Sequence, residues 1–181
     1  LIPKVPQMPE LICFRYNPGP RRTGNSIIGD PVESKYGVSH AQLVDAYRIA
    51  RDLGAKRFGL HSMMVSNELS YKYMVETANM LLEAAEWINR ELDMVFEFIN
   101  IGGGFGIPYR PEDEPLHLQA MAKDMIDLLF NFENHQGYMP KLYMESGRYM
   151  TGPHGVLVTK AINHKNIYRK YIGVDACMSG L

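Results

Sequence analysis

The sequence has no excess of either charge: 19 Lys and Arg against 20 Asp and Glu leave a formal net charge of −1. A nucleic-acid protein needs a basic surplus to meet phosphates, so no nucleic-acid partner is expected. No apolar run approaches the roughly 18 residues of a membrane-spanning helix, and no membrane partner is expected either. Cysteine is scarce. Cys13 and Cys177 stand far apart without metal-like spacing and suggest no disulfide framework, so a reducing cytoplasm is the expected location. The six histidines form no His-Glu-x-x-His or comparable ligand spacing, and no metal site is expected. A serine nucleophile elbow is missing too. So are an initiator Met and a signal-peptide core around Leu1-Ile2-Pro3-Lys4, and the chain stops at Ser179-Gly180-Leu181 soon after a strand-like run. It reads as a piece of a longer protein.

What is present is an ordinary globular composition, 46% apolar and 22% charged, with enough length for about one domain. Strand-like and helix-like segments alternate. Leu11 to Tyr16 is an apolar, aromatic run stopped by Asn17-Pro18-Gly19-Pro20. Ser39 opens a capping box with Gln42, followed at helical spacing by Leu43, Tyr47, Ala50 and Leu53, with Gly54 suited to the C′ position. A short strand spans Arg57 to His61. A long helix fits Leu69 to Glu91, because Met74, Ala78, Leu81, Leu82, Ala85 and Ile88 share one face. Met94 to Ile101 reads as a buried strand, Leu118 to Phe132 as another helix and Lys141 to Glu145 as a fourth strand. Two strands without a helix between them, Val156 to Ile162 and Tyr168 to Val174, end the chain.

This alternation predicts α/β architecture with a parallel sheet, and the better expectation is part of a (β/α)8 barrel. Residues 1–155 would form the barrel part, and residues 156–181 the strands leading towards a second, β-rich domain. Polar and glycine-rich residues gather just after each strand, where such barrels carry their active sites. Gly102-Gly103-Gly104-Phe105-Gly106 misses the dinucleotide fingerprint, since the last glycine of that pattern would fall on Ile107. Consecutive glycines let backbone N–H groups approach an anion; the alternative is a plain tight turn. Glu145-Ser146-Gly147-Arg148 sets a carboxylate and a guanidinium at a strand end. They suit either a rim ion pair or, for Arg148, bidentate capture of a phosphate or carboxylate. His61 is a lone strand-end histidine with a rim or core place as its simplest reading. Met63 and Met64 read as packing residues and Lys35 as a solvated loop lysine.

In this order the segments resemble the alanine-racemase-like pyridoxal phosphate decarboxylases, most of all the diaminopimelate decarboxylase branch. The resemblance rests on six stretches: Arg15-Tyr16-Asn17-Pro18-Gly19, Ser34-Lys35-Tyr36-Gly37-Val38, Gly59-Leu60-His61-Ser62, Asn100 to Gly106, Glu145-Ser146-Gly147-Arg148 and Gly173-Val174-Asp175-Ala176. It implies pyridoxal 5′-phosphate as cofactor. Gly103 and Gly104 would cradle its phosphate together with Ser66, Gly147 and Arg148. Glu145 would face the pyridine nitrogen and keep it protonated, which makes it the catalytic residue of this segment. Arg148 and Asp175 would also meet the substrate, at its carboxylate and amino group.

Several departures stand out. Met63 and Val65 occupy the places of the family's ring-stacking histidine and a glycine, and Ser146 replaces a proline. None of the nine lysines (4, 35, 56, 72, 123, 141, 160, 165, 170) has the family's Tyr-Ala-x-Lys-Ala context, so the cofactor-bearing lysine is expected outside this segment, which alone should be inactive. The implied function of the parent is decarboxylation of meso-diaminopimelate to L-lysine and CO2, the last step of lysine biosynthesis, by a homodimer acting on a small amino acid. The alternatives are a related ornithine, arginine or carboxynorspermidine decarboxylase, or a non-catalytic regulatory relative.

Overall fold

The structure, a computed structural model, describes residues 7–180; Lys4 and Leu181 of the sequence reading lie outside them. Four strands form the body of a parallel sheet: β1 (Leu11–Asn17), β3 (Arg57–His61), β4 (Phe98–Asn100) and β5 (Lys141–Tyr143). A two-residue strand, β2 (Val38–Ser39), flanks β1, giving the order β2-β1-β3-β4-β5, all parallel. Helices α1 (His40–Asp52), α2 (Tyr71–Leu92) and α3 (Leu118–Gln136) connect successive strands. Each β-α-β step returns the chain to a parallel neighbour, as short unknotted crossovers require. The result is part of a (β/α)8 barrel.

The core lies between sheet and helices. Met74, Ala78, Leu81, Leu82, Ala85 and Ile88 of α2 are all buried, so the apolar stripe seen in the sequence is the face laid on the sheet. Tyr47 of α1 is fully buried among Phe14, Phe58 and Phe96, and its hydroxyl donates to the Gly59 carbonyl at 2.6 Å. That bond satisfies the one polar atom this ring brings into the core. On the opposite face, Leu11 and Cys13 of β1 and Tyr143 of β5 are exposed.

Several boundaries differ from the sequence expectation, each for a local reason. Helix α2 starts at Tyr71 rather than Leu69, because Glu68 bridges to Phe105 instead: its N–H donates to Gly104 O at 2.7 Å and its carbonyl accepts from Gly106 N–H at 2.9 Å. The apolar run Met94 to Ile101 keeps only Phe98–Asn100 as strand, since burial marks such a run but ladder pairing defines it. Ser39 is the N-cap of α1, yet its hydroxyl donates to the Gln42 side-chain oxygen at 2.8 Å and makes no bond to the helix backbone. Gly54 follows the C-cap at φ +108°, as expected of a C′ glycine. A short helix unforeseen in the sequence, α4 (Gly147–Thr151), follows β5. Strands β6 (Ala161–Asn166) and β7 (Lys170–Val174) form a separate antiparallel pair. Val156 and Val158, expected in strand, are over 90% exposed and unpaired. The strand starts where ladder pairing with β7 starts, at Ala161, and not where the apolar residues do.

Candidate active site

The carboxyl ends of the strands bring one row of polar side chains together. Cross-strand register aligns Arg15 with His61, His61 with Asn100, and Asn100 with Tyr143. Two residues past Tyr143 stands Glu145, whose N–H donates to Gly102 O at 2.8 Å. The Asn100 amide Nδ2 donates to Glu145 Oε1 at 2.9 Å, and His61 Nε2 lies 3.6 Å from that same oxygen. The Arg15 guanidinium donates to the Met63 carbonyl at 2.7 Å and lies over the Tyr36 ring, 5.1 Å from its centroid.

The glycine run is fitted against two neighbouring segments. The Gly102 N–H donates to Asn100 Oδ1 at 2.9 Å, and the Gly103 N–H to the Met63 thioether at 3.0 Å. A Cβ on Gly102 would stand 2.6 Å from Ser62 O, one on Gly103 2.5 Å from Glu145 O, and one on Gly104 would collide with Val65 O. Gly102 and Gly104 also sit at φ +70° and +90°. A tight turn needs one glycine. Here three in succession are required, by approach to the loop after β3 and to the end of β5. We expect Gly104→Ala to destabilise the protein by about 1–3 kcal/mol through strain at positive φ, before its contact with Val65 is counted; a urea denaturation curve measures this.

Ser66 and Arg148 flank the glycines. Arg148 Nη2 reaches Ser66 Oγ at 3.5 Å, and its guanidinium lies 5.8 Å from the Tyr109 ring centroid. Ser66 is held by Asn25, whose Nδ2 donates to the Ser66 carbonyl at 2.6 Å. No ion pair joins Glu145 to Arg148 among the described residues, so the rim ion pair that the sequence allowed is not made. Gly147 has open space where a Cβ would stand.

The charges follow from these surroundings. Burial holds the His61 imidazole below its ordinary pKa, and the Arg15 charge adds to this while Glu145 opposes it. Cys13 reaches solvent, but partial desolvation of its sulfur pushes the thiol up to about 11, and the Glu145 charge adds to the rise. Asp175 is elsewhere. It closes the base of the β6–β7 hairpin, where Oδ1 accepts the Thr159 hydroxyl at 2.7 Å and the Lys160 N–H at 2.9 Å, and those bonds hold its carboxyl below the usual range. The structure therefore gathers Ser66, Gly103, Gly104, Glu145, Gly147 and Arg148, and leaves Asp175 apart. Sequence alone gives His61 a rim or core place and Asn100 no role of its own. Both turn out to converge on Glu145.

Residues 6–152 match the family described as "Pyridoxal-dependent decarboxylase, pyridoxal binding domain". The chain belongs to that family. Pyridoxal phosphate is accordingly its cofactor. Protein TabA of Pseudomonas amygdali pv. tabaci is 42% identical over all of this chain and 43% of its own length. Diaminopimelate decarboxylase of Methanothermobacter thermautotrophicus is 35% identical over 91% of this chain and 39% of its own. The crystal structure of diaminopimelate decarboxylase from M. jannaschii in co-complex with L-lysine superposes with a TM-score of 0.73 at 22% identity, over 92% of this chain and 39% of that one. That likeness establishes the fold, an alanine-racemase-like barrel. The chain thus spans about two fifths of the relatives it matches. No helix among the described residues is long and apolar enough to cross a membrane, and no group of acidic, histidine or cysteine side chains among them could hold a metal ion.

Proposed function

We propose that this chain supplies the phosphate- and pyridine-binding part of a decarboxylase that converts meso-diaminopimelate to L-lysine and CO2. The observation that carries this reading is the meeting of the glycine run, Ser66, Arg148 and Glu145 at one sheet end, in a chain whose relatives include named diaminopimelate decarboxylases.

The residues present fit pyridoxal phosphate. The glycine run packs directly against Val65, beside Ser66, and against the backbone of Glu145, so its backbone stands next to the Ser66 and Arg148 groups suited to an anion. Gly103 and Gly104, with the Ser66 hydroxyl, the Gly147 backbone and the Arg148 fork, bind the phosphate. Glu145 holds a proton on the pyridine nitrogen. When bound, the cofactor supplies an electron sink for the pair left behind by departing CO2. Arg148 also serves the substrate's carboxylate. Asp175 stands outside this cluster, tied into the β6–β7 hairpin by Thr159 and Lys160, and no substrate contact is assigned to it in this reading.

A second reading is a decarboxylase of the same family for another amino acid. One observation favours it: the relative with the higher identity, TabA at 42% against 35%, is not named a diaminopimelate decarboxylase. Assay of the full-length holoenzyme with meso-diaminopimelate, L-ornithine and L-arginine, following CO2 release, separates the two. Turnover confined to one of the latter pair would overturn the first reading.

Among the described residues no lysine side chain forms a hydrogen bond or ion pair with the site residues. Lys141, for instance, starts β5 at the far end of the sheet, 4.0 Å from Glu97. Borohydride fixation of the cofactor in the full-length enzyme, followed by peptide mapping, is therefore expected to label a lysine outside this segment. A label on any of Lys35, Lys56, Lys72, Lys123, Lys141, Lys160, Lys165 or Lys170 would refute the assignment.

A further inference from the structure

His61 has a buried nitrogen with nothing bonded to it. Its Nε2 is shielded from solvent and lacks a hydrogen-bond partner, while the nearest acceptor is Glu145 Oε1 at 3.6 Å. A buried donor left unmade is costly, and the Glu145 side chain is 56% exposed and able to move. A small rotation of that carboxylate closes the gap. We propose that His61 is a positioning residue: with Asn100 it holds Glu145 by Oε1 and leaves Oε2 for the cofactor's ring nitrogen. This rests on the role given to Glu145 above.

Electrostatics select the form of His61 that does this. An unprotonated Nε2 would set its lone pair against a carboxylate oxygen, so the proton sits on Nε2 and the ring donates. The imidazole is neutral, because burial and the Arg15 charge outweigh the pull of Glu145. Neutrality matters. A cation on Glu145 would lower its basicity and weaken its hold on the proton of the ring nitrogen. Neither nearby guanidinium bonds the carboxylate: Arg15 donates to the Met63 carbonyl and acts on Glu145 through its charge alone, and Arg148 reaches towards Ser66. The carboxylate is thus fixed by two neutral donors, which orient it without discharging it.

The test uses the full-length enzyme reconstituted with pyridoxal 5′-phosphate carrying 15N in its ring, whose chemical shift separates pyridinium from pyridine. His61→Leu is expected to move that resonance towards pyridine. It should lower kcat about 10- to 100-fold, the range typical of groups that orient a site's primary ligands, with KM little changed. His61→Gln, which restores an N–H donor, should recover most of both. Should His61→Leu not fold, His61→Asn is polar but too short to reach Glu145 and should give the same shift. An unmoved resonance in these variants, with Glu145→Gln moving it, overturns the role of His61 alone. An unmoved resonance in Glu145→Gln as well overturns the reading of Glu145 beneath it.

Discussion

Glu145→Gln in the full-length enzyme is expected to lower kcat by about 100- to 1,000-fold, the usual loss when one preorganised electrostatic group is removed. The amide is nearly the same size and can still accept from Asn100 Nδ2, which reaches Oε1 at 2.9 Å in the native protein. What it loses is charge. A neutral oxygen cannot keep a proton on the pyridine nitrogen, so the electron sink weakens. The groups assigned to the phosphate are untouched: the glycine run keeps its close approach to Val65 and Ser62, and Arg148 keeps Ser66. Cofactor affinity, measured by titrating the cofactor-free enzyme, should therefore change little. Unchanged kcat would remove Glu145 from the chemistry, and complete loss of cofactor would make it a structural support of the glycine run, whose Gly102 carbonyl its backbone holds at 2.8 Å.

Long periodic segments were legible because their pattern and their burial are the same fact. The α2 stripe repeats often enough that only a helix can place it on one face. Strand β4 is three residues long, too short to carry a period, and its apolar surroundings extend well beyond the paired part. The site divides in the same way. Glu145, Arg148 and the glycines stand in compact local motifs, so one stretch of chain announced each. His61 and Asn100 belong together only through the register of β3 on β4, which places residues far apart in sequence side by side. Nothing near His61 in the chain marks that pairing. The glycines carried a subtler ambiguity: an anion nest and a close-packed turn have the same composition. Only the positions of Ser62, Val65 and Glu145 establish that all three of Gly102, Gly103 and Gly104 are sterically required.

Arg148→Lys is expected to weaken cofactor retention or kcat/KM by about 10- to 150-fold, corresponding to roughly 1.5–3 kcal/mol for one charge-assisted hydrogen bond. The guanidinium sits in the first turn of α4, between Ser66 Oγ at 3.5 Å and the Tyr109 ring at 5.8 Å. It forms no ion pair with Glu145, so the substitution breaks no salt bridge at the rim. A lysine keeps the charge, but a single ammonium cannot present two parallel N–H groups to a phosphate or carboxylate, nor lie flat against the Tyr109 ring. Two measurements on the full-length enzyme decide the matter. If Arg148 grips an anion, the melting temperature of the cofactor-free protein should stay near that of the native chain, while kcat/KM and cofactor affinity fall. If Arg148 only braces α4 against Ser66 and Tyr109, the melting temperature should drop and the kinetics of the folded fraction should survive. That second outcome would take Arg148 out of the site and leave the glycine backbone and Ser66 as the whole of the anion cradle.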